Sequence, residues 1–493
     1  MSKMTNDEIP AFPPHRMSFF TLIMVNIAAM VALINLPSSA TYGLSAIFYY
    51  LFAAIVFLLP VALVSAELAT GWAKHGGVYI WVKEALGSHW GFLAIFLQWI
   101  QIVFFYPTIL TFAAIAFVFS FNSSIATSTT FLTKVYIYLF ILVVFWSATF
   151  LNFQGMKLSS KLSTIGVVFG ILIPGAFLII LGGLSVLLGN VSETPLKVSA
   201  LIPTLDKDHI IFALGIFLTF AGLEMSSSHA EEVHNPQKNY PIAIFITLLI
   251  VVFLMTAGSV AISIVVPGSD LKLSAGLMQA FNDFLVTFNV PWLLPVISLL
   301  LISGVIGLIA TWIVGPTKGL LAVSRHGFLP PFFQKINKNH IPTTILIIQA
   351  VLVSIVSLMI FIAPAIDTAF WILSALAIQS YLIMYILLFI TGIRLRYTEP
   401  NVHRDFRIPL GKNLGMNLVA GLGLIACIAG FLVGFVPPDF LGVTDTTAYA
   451  LELLVTIIIV CAIPLSIYYL RRPSWDTDPE DKVNKAKLPP QTL

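Results

Sequence analysis

The sequence predicts an all-α membrane protein of twelve transmembrane helices, with the first and the sixth broken within the membrane. Three observations predict it. Only 10% of the 493 residues are charged, against roughly 25% in a soluble globular domain. Apolar runs of 18 or more residues recur along almost the whole chain, each long enough to cross a ~30 Å hydrocarbon core as a helix. Lysines and arginines fall on alternate loops, as a chain threaded back and forth through a bilayer requires.

These observations exclude other classes. A mean hydropathy of +0.98 rules out a water-soluble fold, and the runs lack the apolar/polar alternation over about ten positions that barrel strands need. The net charge of +3 is too small to imply nucleic acid as a partner. The two cysteines, Cys427 and Cys461, lie inside apolar runs and read as packing residues, not as a disulfide, a zinc site or a nucleophile.

Taken in order, residues 1–17 form a polar tail containing Asp7, Glu8, Pro10, Pro13 and Pro14. It lacks the features of a cleavable signal, so the first span is expected to be retained. A window of about 19 residues gives spans at 18–43, 45–66, 91–121, 134–152, 162–188, 209–230, 241–266, 291–323, 342–363, 368–394, 414–436 and 448–470. Residues 18–394 are read as a ten-helix core, 395–470 as a loop with two further helices, and 471–493 as a polar C-terminal tail. The loops on the side of the termini, with the tails, hold 21 of the 25 lysines and arginines. Lys134, Lys197, Lys207 and Lys272 make up the rest. Both termini are therefore expected in the cytoplasm.

A membrane helix gives up backbone hydrogen bonds only where the freed groups face protein or a water-filled cavity, so interruptions locate sites. In the first span, an apolar stretch containing Asn26 and Asn35 runs into Pro37-Ser38-Ser39-Ala40-Thr41-Tyr42-Gly43. Proline clashes with the preceding turn, and a break is expected just before Pro37. The sixth span carries Gly215, Thr219, Phe220, Ala221, Gly222, Leu223, Glu224 and Met225, followed by Ser226 to Ser228. Glu224 is the one acid deep within a span, since Glu67 and Glu452 sit near ends; an intramembrane carboxyl marks a functional position. Breaks five spans apart fit a transporter built from two inverted five-helix repeats, with substrate at the midplane.

With these breaks in place, the chain resembles the amino acid-polyamine-organocation transporters, and within them the bacterial glutamate/γ-aminobutyrate antiporters. The resemblance runs from about residue 18 to residue 470. It rests on Gly222-Leu223-Glu224 followed by His229, Glu232, Asn235-Pro236, Tyr240 and Pro241, and on Ala66-Glu67-Leu68-Ala69-Thr70 and Gly76-Gly77-Val78-Tyr79-Ile80-Trp81. Leu273-Ser274-Ala275-Gly276-Leu277-Met278-Gln279, Trp312-Ile313-Val314-Gly315-Pro316, Phe406-Arg407-Ile408-Pro409 and Pro437-Pro438-Asp439 agree as well. The resemblance implies ten helices in a 5+5 inverted repeat with two peripheral helices, in a bacterial inner membrane. It implies no cofactor, and partners limited to amino acid or amine substrates, protons and the lipid bilayer. Oligomeric state is not legible.

By the same resemblance a bound amino acid places its carboxylate on free N–H groups near Val31, Ala32 and Leu33, beside Asn35. Its ammonium meets carbonyls near Thr219, Phe220, Ala221 and Gly222. Half-helix N-termini suit an anion and C-terminal ends a cation. The chain departs from the antiporter pattern at three places. Ile34 and Asn35 stand where those antiporters carry a tyrosine and a glutamate, and Leu308 stands where they carry a glutamate. An amino acid remains the expected substrate, but its identity is left open.

Trp312 is a candidate gate, against a plain packing or lipid-facing role, and Tyr381 is the next candidate, against a hydrogen bond to the backbone. Glu224 reads as a proton-linked switch, as an anchor for the opened helix, or as a partner of neighbouring serines. Glu67, His75, Glu231, Glu232, Lys238, Lys318 and Arg325 cluster at cytoplasmic helix ends, where ion pairing competes with simple solvation. His229 and His234 lie in the same region. The tail is shorter than the one that plugs the cytoplasmic mouth in the antiporters, so a full plug is not expected. Of the competing classes, a membrane enzyme is disfavoured because no nucleotide loop, H-E-x-x-H or intramembrane histidine cluster occurs. A channel would favour a continuous lined pore over two matched breaks.

Overall fold

A computed structural model describes residues 18–72, 76–126, 128–203, 207–225, 236–339, 341–411, 413–439 and 445–475. Among these residues the chain is helical and contains no strand. Eleven helical runs are long and apolar enough to cross a membrane: Phe19–Ala40, Gly43–Gly71, Ser88–Phe119, Phe131–Asn152, Lys161–Leu187, Pro241–Val265, Pro291–Arg325, Thr343–Ile362, Ile366–Thr398, Leu414–Val433 and Thr446–Tyr469. The sixth span supplies the 14-residue helix Lys207–Phe220 and then opens. Two short helices outside the spans, Val78–Leu86 and Gly276–Thr287, were not foreseen, because neither is long enough to register in a window sized for a membrane.

Burial sorts the spans into an interior and a rim. In an apolar stretch of 18 residues within each span, the share buried is 89% in the third and 83% in the first and tenth, but 28% in the eleventh and 22% in the twelfth. The first, third and tenth therefore face protein, and the last two face lipid. The repeat, invisible as residue identity, shows in the packing. The third span packs along the tenth and the eighth along the fifth; the first packs on the seventh and the sixth on the second. Shifting each helix by five places exchanges the members of these pairs, as an internal two-fold relation requires.

The first break is not where the proline suggested. The helix Phe19–Met30 ends at Val31, and Val31 and Ala32 are extended; a single 3-10 turn, Leu33–Asn35, leads into the helix Leu36–Ala40. Pro37 sits in the first turn of that second half. There its missing N–H leaves nothing unsatisfied, so it starts a half-helix instead of ending one. The sixth span opens at Ala221-Gly222, as expected, with Gly222 at φ +112°.

Two π-helical segments, Ala54–Leu58 and Gly166–Leu172, each lie just before a proline, Pro60 and Pro174. Widening the turn relieves the clash between a proline ring and the carbonyl one turn back. The second segment carries Gly166 and Gly170 against Gly307 and Gly304 of the eighth span, where an added Cβ on Gly166 would stand 2.6 Å from the Gly307 Cα. Ser159 Oγ donates to the Ala310 carbonyl at 2.6 Å, and the Ser163 and Thr311 hydroxyls are 2.7 Å apart. Small residues let the two backbones touch, the usual means of joining helices where lipid offers no hydrophobic drive. This contact fixes the eighth span, and with it Trp312, against the fifth.

Candidate functional site

The two breaks meet. Gly222 lies against the first helix so closely that a Cβ there would stand 2.7 Å from the Ala29 carbonyl oxygen and 2.8 Å from Cζ2 of Trp312. Ala29 is in the last turn of the first half-helix, where carbonyls lack intrahelical partners. Trp312 Nε1 donates to that carbonyl at 3.0 Å. The indole is thus a side-chain cap on the broken helix as well as a wall of the site.

Between the breaks lies a cavity of about 20 Å³ lined by Ala29, Met30, Ala32, Asn35, Gln101, Ile102, Phe105, Ala221, Leu308, Trp312 and Tyr381. That volume holds roughly one water, so nothing larger fits unless the walls move apart. Ala32, Asn35, Ala221, Trp312 and Tyr381, named from the sequence, all line it. Leu308, read as a departure from the antiporter pattern, lines it too. A second cavity of about 20 Å³ shares Ala32 and Leu308 and is walled by Val31, Leu33, Ile34 and apolar groups of the third, fifth and eighth spans. Thr219 and Phe220 direct their side chains elsewhere: Thr219 Oγ1 donates to the Gly215 carbonyl at 2.9 Å, and the Phe220 ring packs edge-on against Tyr50.

Glu224 is fully buried. Its Oε1 accepts from Gln98 Nε2 at 2.9 Å and from the Tyr381 hydroxyl, and its Oε2 accepts from the Tyr385 hydroxyl at 2.6 Å. The Tyr385 hydroxyl also accepts the N–H of Gly222 at 2.8 Å. The carboxyl therefore ties the opened sixth span to the third and tenth, and one tyrosine connects it to the break itself. Tyr381 bonds the acid, not the backbone, and its ring stands edge-on to Trp312 with centroids 6.2 Å apart. Gln98, Gln101 and Tyr385 were not singled out from the sequence. The two glutamines, three residues apart in an apolar helix and so on one face, were the available signal.

Of the charges grouped at the helix ends, Glu67 differs from simple solvation. Glu67 is buried, not solvated. Arg396 grips it with Nε to Oε1 at 2.5 Å and a terminal nitrogen to Oε2 at 2.6 Å. Arg404 Nε lies 3.4 Å from Oε1, and the Ile408 N–H donates to Oε2 at 2.8 Å. The last turn of the tenth span supplies Arg396, and the loop after it folds back over the end of the second span with Arg404 and Ile408, which no local pattern around Glu67 could show. A bidentate pair with further hydrogen bonds is the arrangement that lets charges be buried. His75, Ser226 to Ser228, His229, Glu231, Glu232, His234 and Asn235 lie outside the described residues, as do the N-terminal tail and the C-terminal tail apart from Arg471 to Trp475; of the Lys238 side chain nothing is described.

Two broken helices closing on one cavity between the spans is transporter geometry. Residues 17–461 match the family described as amino acid permease. The chain belongs to that family. An uncharacterized transporter of Legionella pneumophila is 40% identical over 91% of this chain and 95% of that protein. The glutamate/γ-aminobutyrate antiporter of Lactococcus lactis strain IL1403 is 32% identical over 96% of this chain and 94% of its own length. A probable agmatine/putrescine antiporter of the same strain is 22% identical over 86% and 89%. This member of the amino acid permease family is accordingly a multi-pass membrane transporter and not an enzyme.

Proposed function

We propose that this chain is a secondary active transporter that exchanges one amino acid, or its decarboxylated amine, for another by alternating access. The observation that carries the proposal is the convergence of both breaks, Trp312 and Tyr381 on one cavity. The substrate carboxylate is taken by the N–H groups that open the second half of the first helix near Ala32 and Leu33, and the ammonium by carbonyls at the sixth-span opening near Ala221. Trp312 and Tyr381 cover it.

The preferred substrate is neutral. No cationic side chain stands among the described residues lining the cavity, and Asn35 and Leu308 bring only an amide and an alkyl group to it. A second carboxylate left there without a partner would cost several kcal/mol. Proteoliposomes loaded with an unlabelled neutral amino acid are expected to take up the labelled one, while empty vesicles are not. Uptake into empty vesicles under a pH gradient would replace exchange with proton-coupled symport. In the same vesicles glutamate at neutral pH is expected to be among the weakest competitors; if it were the strongest, the preference for neutral substrates would be wrong.

The transporter sits in a bacterial plasma membrane with both termini in the cytoplasm, a reading supported by the 21 lysines and arginines on the side of the termini. In a background lacking Cys427 and Cys461, a cysteine at Ser124 is expected to label from outside intact cells. One at Asn401 is expected to label only after permeabilisation. Both positions are exposed, and the reverse result would invert the topology.

A further inference from the structure

Polar side chains inside a membrane protein are expected to have their donors and acceptors met. In the third span Gln98 obeys this, with its amide nitrogen donated to Glu224 at 2.9 Å. Gln101, one turn later, does not. Its side chain is 1% exposed, its Nε2 has no hydrogen-bond partner among the described residues, and it lines the central cavity together with Ala32, Asn35, Trp312 and Tyr381. The two amides share a helix face and differ in bonding: one donor is committed to the protein, while the other is buried without a partner on a residue that lines the cavity.

We propose that Gln101 is a substrate-recognition residue whose amide N–H donates to an oxygen of the transported amino acid. The proposal rests on the reading of this cavity as the substrate site. A methionine or leucine would fill the same space without burying a donor, so the glutamine is a liability in the closed, ligand-free state and an asset only with an acceptor in front of it. In a cavity with room for about one water, whatever enters lies against the residues that line it, Gln101 among them, and a turn of the amide presents Nε2 to it. Substrate oxygens come from two sources, the α-carboxylate and an oxygen-bearing side chain, and a donor such as Gln101 serves either.

The test uses the full-length protein, purified and reconstituted, as wild type and as Gln101→Met and Gln101→Leu. Without ligand both variants are expected to melt at or above the wild-type temperature, because an unmet donor has been removed. Exchange is measured with two pairs of near-isosteric amino acids, threonine with valine and asparagine with leucine. KM is expected to rise about tenfold, with maximal rate changing much less, and stabilisation by added substrate is expected to shrink in parallel. A rise for both members of each pair assigns the acceptor to the α-carboxylate; a rise confined to threonine and asparagine assigns it to the side chain. Either result supports the proposal. Unchanged KM for all four overturns it, and so does loss of the folded protein in both variants, which would mean that the amide is already held within the structure. Failure of the wild type to exchange any amino acid would instead refute the function proposed above.

Discussion

Gly222→Val is expected to abolish exchange and to lower the melting temperature of the purified protein, and Gly222→Ala to cut exchange by more than tenfold. Two causes act together. A side-chain-bearing residue at φ +112° pays strain of about 1–3 kcal/mol, and any Cβ there collides with the Ala29 carbonyl and the Trp312 ring. Both collisions fall on one hydrogen bond, Trp312 Nε1 to Ala29, so the variant pries the two half-helices apart where they meet. Trp312→Ala reaches the same contact from the other side and should also abolish exchange, by leaving the Ala29 carbonyl unmet and the cavity uncovered. Gly183→Ala is the control: a Cβ there meets nothing within 4 Å, and exchange should be unchanged. Wild-type exchange in Gly222→Ala would show that the breaks separate during transport without needing this contact.

The reasons these residues were or were not legible beforehand are physical. Span positions follow from run length alone, since a membrane imposes its thickness on the sequence. The sixth-span opening was legible because glycine beside an intramembrane acid is locally conspicuous. The reading from Pro37 misplaced the first opening, which the resemblance had put near Val31, Ala32 and Leu33; Val31 and Ala32 carry no breaking signal of their own. What holds them extended is tertiary: the Trp312 cap and the close approach of Gly222, which lie far along the chain. Pro37 drew attention to the wrong end of the same interruption. Gln98, Gln101 and Tyr385 were passed over as single polar groups in apolar runs, whose meaning depends on which helix they face. Glu67 was read as an interfacial charge for the same reason, as its partners Arg396 and Arg404 come from the other end of the chain.

Glu224 carries the second large effect. Glu224→Ala removes the acceptor of three buried donors, Gln98 Nε2 and the hydroxyls of Tyr381 and Tyr385. An unmet buried donor costs about 1–3 kcal/mol, so together they approach the 5–15 kcal/mol by which a typical protein is stable. This variant is expected to lose both thermal stability and transport. Glu224→Gln keeps one carbonyl acceptor and presents an NH2 group where three donors converge. Because tyrosine hydroxyls both donate and accept, Tyr381 and Tyr385 can turn to receive it, and the fold is expected to survive. The glutamine cannot exchange a proton. If the transport cycle protonates and releases Glu224, exchange measured from mildly acidic to neutral pH should lose its slope in Glu224→Gln while retaining much of its maximal rate. A wild-type pH profile in that variant would leave Glu224 as a structural hub, joining the third and tenth spans to the opened sixth, and would move any pH sensing to other groups.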